Sequence, residues 1–188
     1  MPAPVFLDRD GVINENVPDY VRSVSMWVPI PGSLEAAAAL SSAGHPVVVV
    51  TNQSAIGRGL VDAYTVDSIN ALMSERIEAL GGRLSGVYVC PHRPDEGCTC
   101  RKPETGMIDA ARRDLGLTAG GWLVGDAESD MEMGRRAGLE TVLVMTGRGR
   151  DQARLARTGS LPDHTAEDLA AAAAIILRAG TPDEGGSN

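Results

Sequence analysis

At 188 residues the chain is long enough for one domain with a sizeable core and leaves little room for a second. Its 43% hydrophobic content is ordinary, and the apolar runs at Val47 to Val50 and Val142 to Met145 are far too short to cross a bilayer. A formal charge of -8 argues against a general nucleic-acid surface, although a metal ion and a few placed cations can still reverse the potential inside one cleft.

The N-terminus, Met-Pro-Ala-Pro, enters an apolar run without a basic region or cleavage signal, which predicts a cytoplasmic protein. The first strand is expected at Val5 to Leu7, and Ser33 is expected to cap a helix through Leu40 that stops near Gly44. A second strand at Val47 to Val50 follows, then a helix from the cap Asp62 to about Leu80 before Gly81-Gly82. A strand at Gly86 to Cys90, a helix from Thr105 to Leu115, a strand at Trp122 to Val124, a helix from Ser129 to Ala137 and a strand at Thr141 to Met145 continue the alternation. An alanine-rich helix from Ala166 to Arg178 completes it, and residues 181 to 188 read as a disordered tail behind one domain at 1 to 180. Short apolar runs alternating with longer amphipathic ones predict an α/β class, a mainly parallel sheet between two helical layers in a single Rossmann-like domain. Nothing between the strands is long enough for a large cap, so an open site is expected.

In parallel α/β sheets, ligands bind beyond the carboxyl ends of the strands. Three predicted strands end in suggestive chemistry: Asp8-Arg9-Asp10-Gly11, Thr51-Asn52-Gln53-Ser54, and Gly125-Asp126 followed by Asp130. Asp8 and Asp10 are two apart, so both can lean toward one site, and Gly11 permits a turn. One carboxylate could attack phosphorus while the other protonates the leaving alkoxide and later deprotonates water. Magnesium, which prefers hard oxygen ligands, could be held by Asp8 and Asp126, with Asp10 contributing its backbone carbonyl. Alone, Asp-x-Asp-Gly is also an acidic turn or a fragment of a calcium loop. The calcium version has Val12 where a third oxygen ligand belongs and Asp19 where a glutamate belongs.

Thr51 could donate its hydroxyl to a phosphate oxygen, or it could be part of a polar turn. Lys102 offers a compact charge and Arg101 a forked donor, although an Arg-Lys pair is often solvated surface. All three cysteines, Cys90, Cys98 and Cys100, fall within eleven residues, and His92 lies among them. Three thiolates and an imidazole make a closed tetrahedral set, which favours structural Zn2+; the alternative is free thiols beside a surface histidine. His45 and His164 have no companion ligands and read as ordinary surface residues.

In order, Asp8-x-Asp10, Thr51, Lys102 and Gly125-Asp126-x-x-x-Asp130 resemble the four motifs of the haloacid dehalogenase (HAD) superfamily. Asp-Arg-Asp-Gly-Val-Ile-Asn, Thr-Asn-Gln-Ser and the cysteine loop running into Arg101-Lys102-Pro103 resemble the D-glycero-D-manno-heptose 1,7-bisphosphate phosphatases, with histidinol-phosphate phosphatases as near relatives. The resemblance spans roughly residues 4 to 147. It implies a Mg2+-dependent phosphatase with Asp8 as nucleophile, Asp10 as acid/base, Asp126 as metal ligand, Asp130 as indirect support, and Thr51 and Lys102 on the phosphoryl group. It also implies substrate contacts from Asn16, Asp19, Asn52, Gln53, Ser54 and Arg101, and a partner that is a small phosphorylated metabolite, with the protein a monomer or weak homo-oligomer. Where heptose phosphatases often carry lysine after the motif-four aspartate, this chain has Ala127, so that substrate contact is missing. Histidinol-phosphate hydrolysis and a zinc-stabilised binding module without turnover are the competing expectations.

Overall fold

The computed structural model describes residues 2–155 and 161–180. Six strands, β1 (Val5–Leu7), β2 (Val47–Asn52), β3 (Gly86–Cys90), β4 (Trp122–Gly125), β5 (Glu140–Val144) and β6 (His164–Ala166), form one sheet in the order β3-β2-β1-β4-β5-β6. Every pairing is parallel. From β1 the chain builds outward through β2 and β3, then returns to lay β4 on the other side of β1. This reversal leaves a crevice at the carboxyl ends of β1 and β4.

Alternation along the strands sorts side chains onto two buried faces. Val5, Leu7, Val47, Val49, Val124, Val142 and Val144 pack against α1 (Ser33–Ser42), α3 (Ala63–Ala79) and α7 (Leu169–Ala179). Phe6, Val48, Val50 and Leu123 pack against α4 (Gly106–Leu115) and Met133 of α5 (Glu128–Arg136). The strands read as continuous apolar runs because both faces are covered. Phe6, the chain's one phenylalanine, is fully buried at the centre of the second face. Phe6→Ala is expected to cost about 3–5 kcal/mol, read by calorimetry as a melting temperature lower by roughly 10 °C.

Several boundaries differ from expectation. Gly32, at φ +80°, precedes the first turn of α1, and Ser33 does not cap it; the Ser33 hydroxyl instead donates to the carbonyl of Ile13 at 2.6 Å. Asp62 does cap α3, accepting from the Thr65 N–H at 2.6 Å. The last helix begins three residues later than expected because Ala166 belongs to β6, and Asp168 caps it through the Ala171 N–H. Two short helices, α2 (Ser54–Gly57) and α6 (Gly149–Leu155), were not anticipated. His45 is buried, its Nδ1 2.8 Å from the Ala3 carbonyl, and is not a surface residue. The expected tail lies outside the described residues. Among the described residues, no helix is long and apolar enough to cross a membrane.

Candidate active site

Four strand ends deliver polar residues to one crevice. β1 runs into Asp8, β2 carries Thr51 and Asn52, β4 runs into Asp126, and β5 leads to Thr146-Gly147-Arg148. The last of these was not singled out in the sequence. The loops are cross-tied: the Thr146 hydroxyl donates to the Gly11 carbonyl at 2.6 Å. Gly11 adopts φ +87°, and a Cβ there would stand 2.2 Å from Asp126 Oδ2, so the β1 turn passes over Asp126 only because it lacks a side chain. The cleft has a volume of about 300 Å³, with walls that include Asp8, Asp10, Thr51, Arg101, Lys102 and Arg148. Asn16, Tyr20, Asp10 and Arg148 also border an adjoining pocket of about 400 Å³.

The cleft floor is a buried charge cluster. Lys102 Nζ lies 2.7 Å from Asp8 Oδ1 and 2.7 Å from Asp130 Oδ1, with all three side chains nearly inaccessible. Burial pushes the Asp8 carboxyl up to about 6 against the pull of Lys102, and Asp130 and Asp10 add to the push. Burial, then the Asp8 charge, also raises Asp126, while Arg148 opposes the rise. The Lys102 ammonium is disfavoured by burial, but Asp130 and Asp8 outweigh this and raise its pKa. One oxygen from each of Asp8, Asp126 and Asp130 falls within 4.8 Å of the others. Three buried carboxylates this close favour a further cation, and an all-oxygen donor set suits magnesium.

Asp10 faces away from that cluster and into the cleft. Gln53 Nε2 donates to its Oδ2 at 2.7 Å, Asn14 Nδ2 to its Oδ1 at 2.9 Å, and Arg9 grips both oxygens through Nη2. Arg9 is fully buried and donates to Asn70 on α3, so the acid/base candidate is anchored to a helix. Gln53 also donates to the Thr51 hydroxyl at 2.9 Å. Asn52 accepts from the Lys102 N–H at 3.1 Å, which ties β2 to the lysine's backbone. Gln53 therefore sits behind the lining, and Ser54, the first residue of α2, is at the wall with its Oγ 3.5 Å from the Tyr20 hydroxyl. Asn16 is exposed at the mouth, whereas Asp19 is exposed and lies outside the lining.

A second cluster stands beside the cleft. Cys90 Sγ lies 3.7 Å from both His92 Nδ1 and Cys98 Sγ, Cys100 Sγ lies 3.6 Å from Cys98 Sγ, and His92 Nδ1 to Cys100 Sγ is 3.2 Å. A tetrahedron with zinc–sulfur bonds of about 2.3 Å has edges of about 3.8 Å, and edges to nitrogen are slightly shorter. The four donors therefore fit zinc, with His92 presenting Nδ1. Burial pushes the Cys90 thiol up to about 12. Burial also opposes ionisation of Cys98, but the Arg101 N–H and the neighbouring thiols hold it down to about 7. Directly after Cys100, Arg101 donates to the His92 carbonyl at 3.2 Å, so this loop carries the cleft's two adjacent cations, Arg101 and Lys102.

Sequence reasoning passed over Arg148, Arg9 and Asn14. Arg148 lies 22 residues after Asp126, yet its backbone N–H and Nη2 reach the Asp126 carboxylate at 2.9 and 3.1 Å. The signal that could have found it is its place just past a strand end, after a glycine.

The HAD-hydrolase-like family model matches residues 99–172. The D-glycero-β-D-manno-heptose-1,7-bisphosphate 7-phosphatase of Pseudomonas aeruginosa is 42% identical over 179 residues, covering 93% of this chain and 97% of the relative. The D-glycero-α-D-manno-heptose-1,7-bisphosphate 7-phosphatase of Burkholderia mallei is 38% identical, covering 83% of this chain and 85% of the relative. Among solved structures, the D,D-heptose 1,7-bisphosphate phosphatase of B. bronchiseptica, complexed with magnesium and phosphate, superposes with a TM-score of 0.88 at 39% identity, covering 95% of this chain and 99% of that one. With this identity along nearly its whole length, and with a sheet of the same architecture, the chain belongs to the heptose bisphosphate phosphatase family of HAD hydrolases.

Proposed function

We propose that this protein hydrolyses the 7-phosphate of D-glycero-D-manno-heptose 1,7-bisphosphate through an aspartyl-phosphate on Asp8, with Mg2+ in the cleft and Zn2+ in the cysteine loop. The observation that carries the reading is the floor of the cleft, where Asp8 is fixed by Lys102 beside Asp126 and Asp130. The Arg9 N–H and Lys102 Nζ both engage Oδ1 of Asp8, so attack on phosphorus through Oδ2 leaves those bonds in place. As the carboxylate attacks, the bond from phosphorus to the sugar oxygen breaks, and Asp10 gives that oxygen a proton. In the second half Asp10 takes a proton from water, which attacks phosphorus and returns Asp8 as a free carboxylate with inorganic phosphate.

Asp8, Asp126 and the backbone carbonyl of Asp10 would hold magnesium, which when bound neutralises charge on the transferring phosphoryl oxygens. Thr51 and Lys102 would meet those oxygens. Lys102, bound to Asp8 and Asp130, would hold a phosphoryl group over Asp8, and Arg101, at the cleft wall, would meet the phosphate that is not transferred. The two named relatives differ in anomer, and both substrates belong in the test. Phosphate release with magnesium from the α- and β-bisphosphates, with histidinol phosphate and a wider ester panel alongside, decides the matter. A specificity constant highest for histidinol phosphate overturns the substrate, and no turnover of any ester overturns the enzyme.

Asp10→Asn is expected to lower kcat on the sugar phosphate by about 10²–10⁴-fold. On p-nitrophenyl phosphate, whose leaving group departs without a proton, formation of the aspartyl-phosphate should be affected much less. A burst of p-nitrophenolate followed by slow turnover is the expected trace in rapid mixing.

A further inference from the structure

The two oxygens of the fully buried Asp126 meet different surroundings. Oδ2 is hemmed in by the turn backbone and by Arg148 itself. The Arg148 N–H donates to it at 2.9 Å and the side-chain Nε at 3.4 Å, and a Cβ built on Gly11 or Gly147 would stand 2.2 or 2.3 Å from it. Oδ1 takes Arg148 Nη2 at 3.1 Å. Asp126 is fully buried while Arg148 lines the cleft, so a side-chain cation covers the oxygen that a ligand from the cleft would have to reach. That cation is exposed to solvent in a way Lys102 is not. The Arg148 side chain is 55% exposed at the wall shared by the two pockets, whereas Lys102 is 2% exposed and pinned between Asp8 and Asp130.

We propose that Arg148 competes with the divalent cation for Oδ1 of Asp126, neutralising the carboxylate until the metal displaces it. The inference rests on the reading of Asp126 as a metal ligand. A doubly charged ion bound to Oδ1 repels a guanidinium within hydrogen-bonding distance of the same oxygen, and the ion needs the approach that Nη2 fills. Arg148 can leave without unfolding anything, because its backbone N–H stays on Oδ2 while the side chain swings toward solvent. The ion pair stabilises the metal-free protein alone, so by linkage it must weaken metal binding to the same extent. The arginine keeps a buried carboxylate paired between turnovers and makes the metal exchangeable.

The test is calorimetric titration of Mg2+ into zinc-replete, magnesium-free protein, comparing wild type with Arg148→Ala and Arg148→Gln, and with Asp126→Asn as reference. Both Arg148 variants are expected to bind Mg2+ roughly 3- to 10-fold more tightly. They should also melt lower than wild type without Mg2+, with the gap narrowing at saturation. Unchanged or weaker Mg2+ affinity in both variants overturns the proposal. If the alanine variant does not fold, the glutamine variant, which keeps a polar side chain, shorter and without the charge, decides alone. Asp126→Asn should lose Mg2+ binding; if it binds as wild type does, the ligand reading itself fails. Loss in Asp126→Asn with unchanged affinity in the Arg148 variants defeats only the role of Arg148.

Discussion

Asp8→Asn is expected to remove phosphate release from the sugar bisphosphate by on the order of 10⁴-fold or more, while leaving the metal-free protein as stable as wild type or more so above pH 6. The two effects have one cause. In the proposed mechanism Asp8 attacks as an anion, yet it sits buried beside Asp126 and Asp130, and its carboxyl is pushed up to about 6 from the ordinary 3.8. Between these values the folded state holds a proton that the unfolded chain has released, so stability falls as pH rises from about 4 to about 6, and above that the penalty is complete. An asparagine carries no such penalty, and Lys102 keeps its bond to Asp130. The expected gain is about 1–3 kcal/mol at pH 7.5 without Mg2+, visible in denaturant unfolding as a midpoint shift with unchanged slope. A variant that loses both activity and stability would point to Asp8 as a structural member of the cluster instead.

Much of the candidate site and of the fold around it was legible in the sequence. Asp8, Asp10, Thr51 and Asp126 stand at the ends of apolar runs, and Lys102 follows just after the cysteine loop, so sequence alone could single them out. β1, β2, β4 and β5 were legible because most of their side chains are buried in long apolar runs, and β3, half-buried at the sheet edge, because Val87-Tyr88-Val89 is β-branched and aromatic. β6 has no such run. His-Thr-Ala is a three-residue edge strand paired only to β5, and its last residue blends into the helix that follows. Ser33 looked like a cap, but its hydroxyl is used by Ile13, across the chain from its own helix. Arg9 and Arg148 escaped notice for a different reason. Arginine is ordinarily a surface residue, and only the fold reveals that one is fully buried against Asp10 and Asn70 and the other holds Asp126. Such partners lie up to 61 residues apart, beyond any local pattern.

Cys98→Ser is expected to lower both melting temperature and turnover, and excess Mg2+ should restore neither. The four donors run from the end of β3 along one loop that leads straight into Arg101 and Lys102. The loop is held to the body of the domain by the packing of its cysteines on the second core face, by backbone bonds such as the Gly57 N–H to the Pro91 carbonyl, by the Lys102 N–H to Asn52 and by the ammonium to Asp8 and Asp130. A thiolate replaced by a hydroxyl opens the tetrahedron, and the zinc contribution to folding, several kcal/mol in a closed site, is largely lost. Because Lys102 remains drawn to two carboxylates while Arg101 loses the His92 carbonyl as a fixed partner, KM should rise more than kcat falls. The expected scale is a melting temperature lower by roughly 5–15 °C and a specificity constant lower by about 10- to 100-fold. Metal analysis by mass spectrometry should find one zinc per chain in wild type and a fraction of that in the variant. Wild-type stability with zinc absent would mean that hydrogen bonds among the thiols and His92 suffice to shape the loop, and that the cations beside the cleft are placed without a metal.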